Sequence, residues 1–245
     1  MSTTARPTTW LITGANRGIG FELVKQLLTS PTNLVVGVCR DPEHATALAD
    51  LKQTTQGTLH VIPLDIADFD SVRASATQLE RILGDTGLDY LINNAAIFTY
   101  DTAFTSDPDT LLRLLRTNVA GPALVAQVCL PLLEHGHAKM LVNVSSTSGS
   151  IGSVKHIEKE EHRVGGAAYS ISKAALNMLT YKQKVERPDL IVLALCPGWV
   201  KTDMGGQQAA LEPEESVAGI LKVVTSATPA DSGKFLSFSG VEAPW

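Results

Sequence analysis

The fold is constrained most by seven short apolar runs of four to six residues that recur along the chain. Between them, apolar residues repeat with helical spacing. The runs are rich in valine, isoleucine and leucine, which is typical of strands buried on both faces of a parallel sheet. They lie at residues 10–13, 34–39, 59–64, 90–93, 140–144, 190–195 and 235–238. Strand alternating with helix predicts an α/β fold: a doubly wound parallel seven-stranded sheet with helices on both faces.

The intervals between the runs carry helical patterns. They cover 21–28, 45–51, 70–83, 110–133, 167–185 and 214–226. The pattern at 110–133 is long and contains Gly121 followed by Pro122, so we expect two helices, joined or kinked there. Three longer loops follow predicted strand ends, where sheets of this kind bind their ligands. These loops lie at 95–108, 147–166 and 198–213.

The composition suits one domain and excludes several classes of function. With 245 residues, 44% of them hydrophobic, the chain predicts a flexible tail at 1–9 and a single dinucleotide-binding domain at 10–245. The net charge of −5 argues against a nucleic-acid surface, and no apolar run is long enough to span a membrane. Cys39, Cys129 and Cys196 have apolar neighbours and no metal-like spacing. We interpret them as buried thiols and predict a cytoplasmic protein that holds no metal.

A glycine-rich turn follows the first predicted strand and opens a helix. Glycine lets a backbone approach a pyrophosphate closely, and a helix N-terminus attracts its negative charge. The spacing Gly14-x-x-x-Gly18-x-Gly20 differs from the common Gly-x-Gly-x-x-Gly, and a turn with only a packing role is the alternative. We favour a bound dinucleotide in a Rossmann fold. The predicted contacts are Gly14, Asn16, Arg17, Gly18, Ile19 and Gly20.

The end of the second run indicates which nicotinamide cofactor is used. NAD sites usually carry an acid there, which binds the ribose hydroxyls. This chain has Arg40 there, with Arg17 in the turn, and two guanidinium groups favour the 2′-phosphate of NADP. Asp41 is the residue that argues for NAD, although it should face away from Arg40.

Polar residues also end the third and fourth runs. Asp65, followed by Ile66, is placed to accept a bond from an adenine amino group, or alternatively to cap the next turn. Asn94 and Ala95 are small or amide residues suited to a close cofactor contact, with a plain Asx turn as the alternative.

Tyr169 and Lys173 are four residues apart in a predicted helix and therefore share one face. An ammonium about 4 Å from a phenol stabilises the phenolate by at most about 4 kcal/mol at an effective dielectric near 20, so it lowers a phenol pKa from about 10. We therefore predict that Tyr169 is an acid or base near neutral pH and, given the glycine turn, that the reaction is hydride transfer. A half-buried structural tyrosine is the alternative.

From residue 10 onward, these motifs resemble the short-chain dehydrogenase/reductase family. The chain is most similar to its carbonyl reductases, including fungal polyketide ketoreductases and the Sniffer type, on the segment that begins at Pro197 and on Trp245. The matching pieces are 13–20, 64–66, 93–96, Asn118, 144–146, 169–173 and 196–203.

The resemblance implies a catalytic set. Tyr169 would donate a proton when a ketone is reduced, and Lys173 would lower its pKa and hold the nicotinamide ribose. Ser146, three residues before Gly149, would orient and polarise the carbonyl. Asn118 would bind a water that links Lys173 to solvent.

Further contacts are implied after the sixth run. Pro197 and Gly198 would shape the chain around the nicotinamide, unless they form an ordinary turn. The backbone of Val200 and the hydroxyl of Thr202 would meet its carboxamide and phosphates. The predicted substrate contacts are Phe98, Ser146, Tyr169, Trp199 and Met204, which suggest an apolar or aromatic substrate.

Two features depart from the family pattern. Ala96 replaces a glycine, a small change that should be tolerated. The interval between Ser146 and Tyr169 is longer than in most members, with the extra residues at 154–163. We expect that segment to be a solvated excursion or a rim over the substrate pocket, and not a metal site at His156 and His162.

The sequence therefore predicts an NADP(H)-dependent reductase of a small-molecule ketone or aldehyde, polyketide-like among the possibilities. The alternatives are a catalytically silent NADP-binding sensor, or an alcohol dehydrogenase working in the oxidative direction. A methyltransferase does not account for the Tyr–Lys pair. The apolar stretch at 111–133 and the helix of Tyr169 predict a homodimer or homotetramer, with a monomer left open by the extra segment.

Overall fold

A computed structural model describes residues 6–154 and 166–245. Seven parallel strands form one sheet in the order β3-β2-β1-β4-β5-β6-β7. The strands are β1 Thr8–Thr13, β2 Asn33–Cys39, β3 Thr58–Pro63, β4 Tyr90–Asn93, β5 Met140–Val144, β6 Ile191–Cys196 and β7 Phe235–Ser237. The predicted sheet is confirmed, and the strand order reverses between β1 and β4, where such sheets open a ligand crevice.

Helices cover both faces of the sheet. They are α1 Gly18–Leu27, α2 Thr46–Thr54, α3 Phe69–Leu83, α4 Pro108–Leu115, α5 Gly121–His135, α6 Ala167–Glu186 and α7 Pro213–Ser226. Side chains of α1 and α7 form one apolar core against the sheet, and those of α3 and α5 form the other. All three cysteines are buried, as predicted.

The long helical pattern is divided where its sequence predicted. A π-helix, Arg116–Ala120, joins α4 to α5, which begins at Gly121. A Cβ on Gly121 would lie 2.4 Å from the carbonyl oxygen of Ile66, so glycine is required where α5 crosses the end of β3. The π-helix places Asn118 fully inside the protein.

Two residues that the sequence placed in a flexible tail belong to the sheet. β1 begins at Thr8, so Thr8 and Thr9 belong to the sheet. Asp89, which is 2% exposed, accepts hydrogen bonds from the backbone N–H of Thr9 at 2.9 Å and of His137 at 2.7 Å. Arg6 forms an ion pair with the same carboxylate at 2.8 Å. A buried charge thus ties the first strand to the start of β4, a contact that no local pattern indicates.

We predict that Asp89→Asn lowers the free energy of unfolding by about 3 kcal/mol at pH 7, because a charged acceptor of several hydrogen bonds is lost. Burial alone would raise the pKa of Asp89, but hydrogen bonds from Arg6, Thr9 and His137 bring it below its ordinary value. A carboxyl with a depressed folded-state pKa stabilises above its unfolded value, near 4, and this stability is lost as pH falls through the folded pKa. Urea unfolding should therefore show a gap between wild type and variant that is constant above about pH 5 and narrows below about pH 4. A gap that does not change with pH would contradict the role given to the carboxylate.

Candidate active site

The glycine turn has the backbone that close approach of a ligand needs. Gly14 and Gly18 have φ of 68° and 54°, which favours glycine. A Cβ on Gly20 would lie 2.1 Å from the carbonyl oxygen of Gly14. The turn opens α1, whose first turn holds no acidic side chain and whose N-cap, Arg17, makes no side-chain cap. Bare backbone at a helix N-terminus fits a pyrophosphate, so the turn is suited to a dinucleotide.

Asn94 and Ala95 support this turn from β4. The side-chain amide of Asn94 donates to the carbonyl oxygen of Thr13 at 2.9 Å, and the backbone N–H groups of Asn94 and Ala95 both donate to the Thr13 hydroxyl at 3.0 Å. The side chain of Asn94 is therefore engaged by the protein. Its predicted cofactor role would be indirect, through the shape of the turn.

At the end of β2, Arg40 is exposed, and the carboxylate of Asp41 bonds to the ring of His44 at 2.7 Å. Asp41 is thus engaged within its own turn, between β2 and α2. Arg17, in the glycine turn, forms an exposed ion pair with Asp203 at 2.9 Å.

At the end of β3, the capping alternative for Asp65 is present. Its carboxylate accepts from the backbone N–H of Ala67 at 2.9 Å. Ile66 is 6% exposed, and its side chain belongs to the core, so only its backbone is left for the crevice.

The predicted catalytic side chains Ser146, Tyr169 and Lys173 come together at the end of β5. The hydroxyls of Ser146 and Tyr169 are close enough to interact, and this interaction lowers the pKa of the phenol. The ammonium of Lys173 lies 5.6 Å from the centre of the Tyr169 ring and donates to the carbonyl oxygen of Val144 at 2.7 Å. Ser145, the neighbouring hydroxyl, faces the other way and donates to Asn177 at 2.5 Å. The geometry therefore favours Ser146, as the sequence did.

The pKa values differ from the expected ones. Burial, together with the nearby Cys196, raises the pKa of Tyr169 well above its ordinary value, against a hydrogen bond with Ser146 that lowers it. Burial lowers the pKa of Lys173 to about 8, with Cys196 acting in the opposite sense. The expected net lowering of the Tyr169 pKa is not found in the protein alone, because burial dominates. The ammonium is directed to Val144 and both groups are desolvated.

Asn118 lies in the π-helix that joins α4 to α5. Its side-chain amide donates to the carbonyl oxygen of Ile97 at 2.9 Å and to the hydroxyl of Ser172 at 3.0 Å, and its Oδ1 accepts from the N–H of Ile97 at 2.9 Å. Asn118 therefore connects the loop after β4 to α6. A π-helix within a helix is frequently found at functional sites.

The segment after β6 forms the opposite wall of the crevice. Gly198 has φ of 81°, and Val200 forms an isolated bridge with Leu211. A Cβ on Gly18 would lie 3.2 Å from Cγ2 of Thr202, so this threonine stands over the glycine turn. The hydroxyl of Ser216 in α7 holds the carbonyl oxygen of Pro197 at 2.6 Å, a contact that the sequence did not indicate.

Among the predicted apolar substrate residues, Phe98 contacts Tyr169. The Phe98 ring packs edge-on against the Tyr169 ring, with centroids 5.2 Å apart. Met204 is about half exposed, and the indole N–H of Trp199 donates to the carbonyl oxygen of Gly205 at 2.8 Å.

The chain after Ser146 is held by the last residues of the sequence. The hydroxyl of Ser150 donates to the carbonyl oxygen of Pro244 at 2.6 Å, and the N–H of Gly152 donates to the carbonyl oxygen of Trp245 at 3.1 Å. The Trp245 ring stacks on Phe235. In the sequence Trp245 served only as a mark of resemblance, and its contacts show that it supports the loop that follows Ser146.

The extra segment at 154–163 and its two histidines, His156 and His162, lie outside the described residues apart from Val154. Within residues 6–154 and 166–245, no group of three or more metal-binding side chains occurs. In the same ranges, no helix combines the length and apolar character needed to cross a membrane.

Comparisons with known proteins identify the family of the chain. A sequence model described as short chain dehydrogenase matches residues 8–212. An uncharacterized oxidoreductase of Schizosaccharomyces pombe is 31% identical over the whole of both chains, and a short chain dehydrogenase of Penicillium aethiopicum is 31% identical over 98% of this chain and 100% of its own.

Two solved structures are similar over 98% of this chain and 100% of their own. The NADPH-bound carbonyl reductase from chicken fatty liver has a TM-score of 0.90 and 35% identity. The carbonyl reductase Sniffer of Drosophila melanogaster has a TM-score of 0.88 and 32% identity. The matched family model and these relatives together establish that this chain belongs to the short-chain dehydrogenase/reductase family, as an oxidoreductase of carbonyl reductase type.

Proposed function

We propose that the chain reduces a ketone or aldehyde to an alcohol with NADPH, and that Tyr169 supplies the proton. The observation that carries the proposal is the grouping of Ser146, Tyr169 and Lys173 at the edge of the sheet where the glycine turn opens, with the Lys173 ammonium buried 5.6 Å from the Tyr169 ring. The cofactor, when bound, supplies the hydride.

Two hydroxyls on one side of a carbonyl can hold its oxygen between them. Ser146 orients and polarises the carbonyl, and the Tyr169 hydroxyl gives its proton to the oxygen as negative charge develops there. Lys173, 2% exposed, places a cation below the phenol and stabilises the phenolate that is left. Both hydrogens of the Asn118 amide are engaged by protein, so the predicted water beside Lys173 would have to use its Oδ1 or its backbone carbonyl.

The proposed direction is reduction, which uses a Tyr169 phenol that carries its proton, whereas alcohol oxidation uses a phenolate as base. Burial raises the pKa of Tyr169, so the phenol carries its proton at neutral pH, as an ordinary phenol also does. An alkoxide is a stronger base than a phenolate, so the developing alkoxide is able to take this proton.

The choice of NADP(H) rests on Arg17 and Arg40, because these residues follow β1 and β2 at the edge of the sheet where the crevice opens. The carboxylate of Asp41 is engaged by His44, and that of Asp203 by Arg17. The chicken relative binds NADPH, and a similar Burkholderia multivorans protein, 28% identical with a TM-score of 0.82, binds NADP.

We predict that Arg40→Ala raises the KM for NADPH by about 10- to 100-fold, the loss expected for a charge-assisted bond to the 2′-phosphate, and leaves the KM for NADH within about twofold. Lys222→Ala, which removes another exposed cation on α7, serves as the matched control and should change neither value. Equal losses with the two cofactors would refute the assignment of Arg40 to the 2′-phosphate.

The predicted substrate is apolar. Phe98 contacts the phenol, and Tyr100, Phe104 and Ile151 are largely exposed on the loops around the crevice. The proposed activity is tested with a panel of aromatic ketones, aldehydes and quinones. The oxidation of NADPH is followed through the loss of its absorbance at about 340 nm. The expected result is turnover that Ser146→Ala lowers by about 100-fold or more. NADPH binding without turnover of any carbonyl would favour the silent sensor.

A homodimer also stays a proposal. Along one side of α6, Ile171, Met178, Tyr181 and Val185 are about half exposed, with a spacing that makes a continuous apolar stripe. The mass in solution, measured by light scattering, distinguishes dimer, tetramer and monomer. The cytoplasmic location, which the buried thiols favour, also stays a prediction.

A further inference from the structure

The helix that carries Tyr169 has no cap of its own. Its N-cap residue, Gly166, has φ of 78° and ψ of 38° and makes no side-chain cap. The first N–H groups of any helix lack partners within the helix, and they need other acceptors when they are buried. Gly166 and Ala168 are both buried, so α6 must obtain its cap from elsewhere.

Asp101, in the loop after β4, provides that cap. Its backbone carbonyl accepts from the N–H of Gly166 at 2.8 Å and of Ala167 at 3.4 Å. Its carboxylate accepts from the N–H of Ala168 at 3.2 and 3.3 Å. One residue thus engages three consecutive N–H groups, and its negative charge faces the positive end of the helix dipole.

The same loop touches the catalytic side chain itself. The Phe98 ring packs against Tyr169 at 5.2 Å, and a Cβ on Gly166 would lie 2.8 Å from Cε2 of Phe98. The substrate loop and the first turn of α6 are therefore joined twice, once through Asp101 and once through Phe98. Tyr169 is the third residue of the helix, within the turn that this contact fixes.

We propose that Asp101 is a positioning residue, which holds the first turn of α6 against the substrate loop and so fixes the Tyr169 hydroxyl for proton transfer. This inference rests on the proposed reductase function. Asp101 acts through the helix backbone and does not itself touch the reacting atoms.

We expect the loss of this cap to lower kcat. Without an acceptor for the Ala168 N–H, the first turn of α6 frays and the phenol samples positions away from the carbonyl. A small displacement of a catalytic group is enough to lower a rate strongly, and an uncapped helix end costs about 1 kcal/mol of stability. The hydrogen bonds that support the glycine turn come from Asn94 and Ala95 and do not involve Asp101, so the KM for NADPH should not change.

The test compares Asp101→Ala with Asp101→Asn, since asparagine also caps helices but carries no charge. Asp101→Ala should lower kcat by about tenfold and leave the KM for NADPH within about twofold, and Asp101→Asn should restore most of the loss. The matched control is Asp68→Ala, because Asp68 caps α3 through bonds to the N–H of Asp70 at 3.0 Å and of Ser71 at 3.4 Å. Helix α3 carries no residue of the catalytic set, so this control should lose stability but not kcat.

Three results would overturn the inference: wild-type kcat in Asp101→Ala, no rescue by asparagine, or an equal kcat loss in Asp68→Ala. Amide exchange of residues 166–170 separates this inference from the proposed function, since it needs no turnover. If these amides exchange faster in Asp101→Ala but the wild-type protein reduces no carbonyl, the capping role of Asp101 stands and the proposed reductase function is overturned. Unchanged exchange and unchanged kcat, with an active wild type, would overturn the role of Asp101 alone.

Discussion

Replacing Tyr169 with phenylalanine should lower kcat for carbonyl reduction by about 10³-fold, within the range found for loss of a general acid. The change removes one oxygen and keeps the ring, so the contact with Phe98 is retained. The affinity for NADPH should stay within about twofold of wild type, because the loss falls on the transition state and not on binding.

The matched control is Tyr181→Phe, which removes the same oxygen from a tyrosine on the same helix, 47% exposed. It should leave kcat unchanged, and protein fluorescence quenched by NADPH should give the same affinity for all three proteins. Turnover by Tyr169→Phe close to that of wild type would show that the proton comes from another group.

The second large effect is expected at the glycine turn. In Gly20→Ala, the new methyl group would lie 2.1 Å from the carbonyl oxygen of Gly14 and 2.7 Å from the amide nitrogen of Asn94. The first atom belongs to the turn and the second supports the turn from the end of β4, so the turn has to move, and the backbone that would cradle the pyrophosphate moves with it. NADPH affinity, measured by calorimetry, should fall by about 100-fold or more.

Gly18→Ala provides a graded comparison. There the new methyl group meets only Cγ2 of Thr202, at 3.2 Å, and the strain comes from a φ of 54°. We expect a smaller loss of NADPH affinity, about tenfold, with the fold intact by circular dichroism. If a folded Gly20→Ala protein bound NADPH as tightly as wild type, the turn would not be the cofactor site.

The architecture was predictable because strands buried on both faces are continuous apolar runs. The runs at 90–93 and 140–144 match β4 and β5 at both ends, and the other runs differ from their strands by one or two residues at an end. The division of the long helix was also predictable, since Gly121-Pro122 marks it in the sequence. The order of the motifs placed Ser146, Tyr169 and Lys173 at one edge of one sheet, where the structure has them.

The contacts that cross the chain were not predictable. Asp101 caps a helix that begins 66 residues later, and Asp89 bonds to Thr9, 80 residues before it. An isolated aspartate in a loop carries no signal of its partner. The predicted tail was too long for this reason, because the acceptor that orders Thr9 is remote in sequence.

The sequence also could not predict in which direction the pKa of Tyr169 shifts. A spacing of four residues places Lys173 on the same helix face but does not fix where its ammonium points. In the structure it reaches the carbonyl oxygen of Val144, and burial then dominates the phenol. With a raised pKa, Tyr169 carries its proton at neutral pH in the protein alone.

A structure of the protein with NADP and a bound carbonyl compound tests the central claim most directly. The account predicts a carbonyl oxygen about 3 Å from both the Ser146 and Tyr169 hydroxyls, with the nicotinamide ring on the adjoining side of the carbonyl carbon. A carbonyl bound out of reach of the Tyr169 oxygen, or a nicotinamide separated from it by packed protein, would contradict the account.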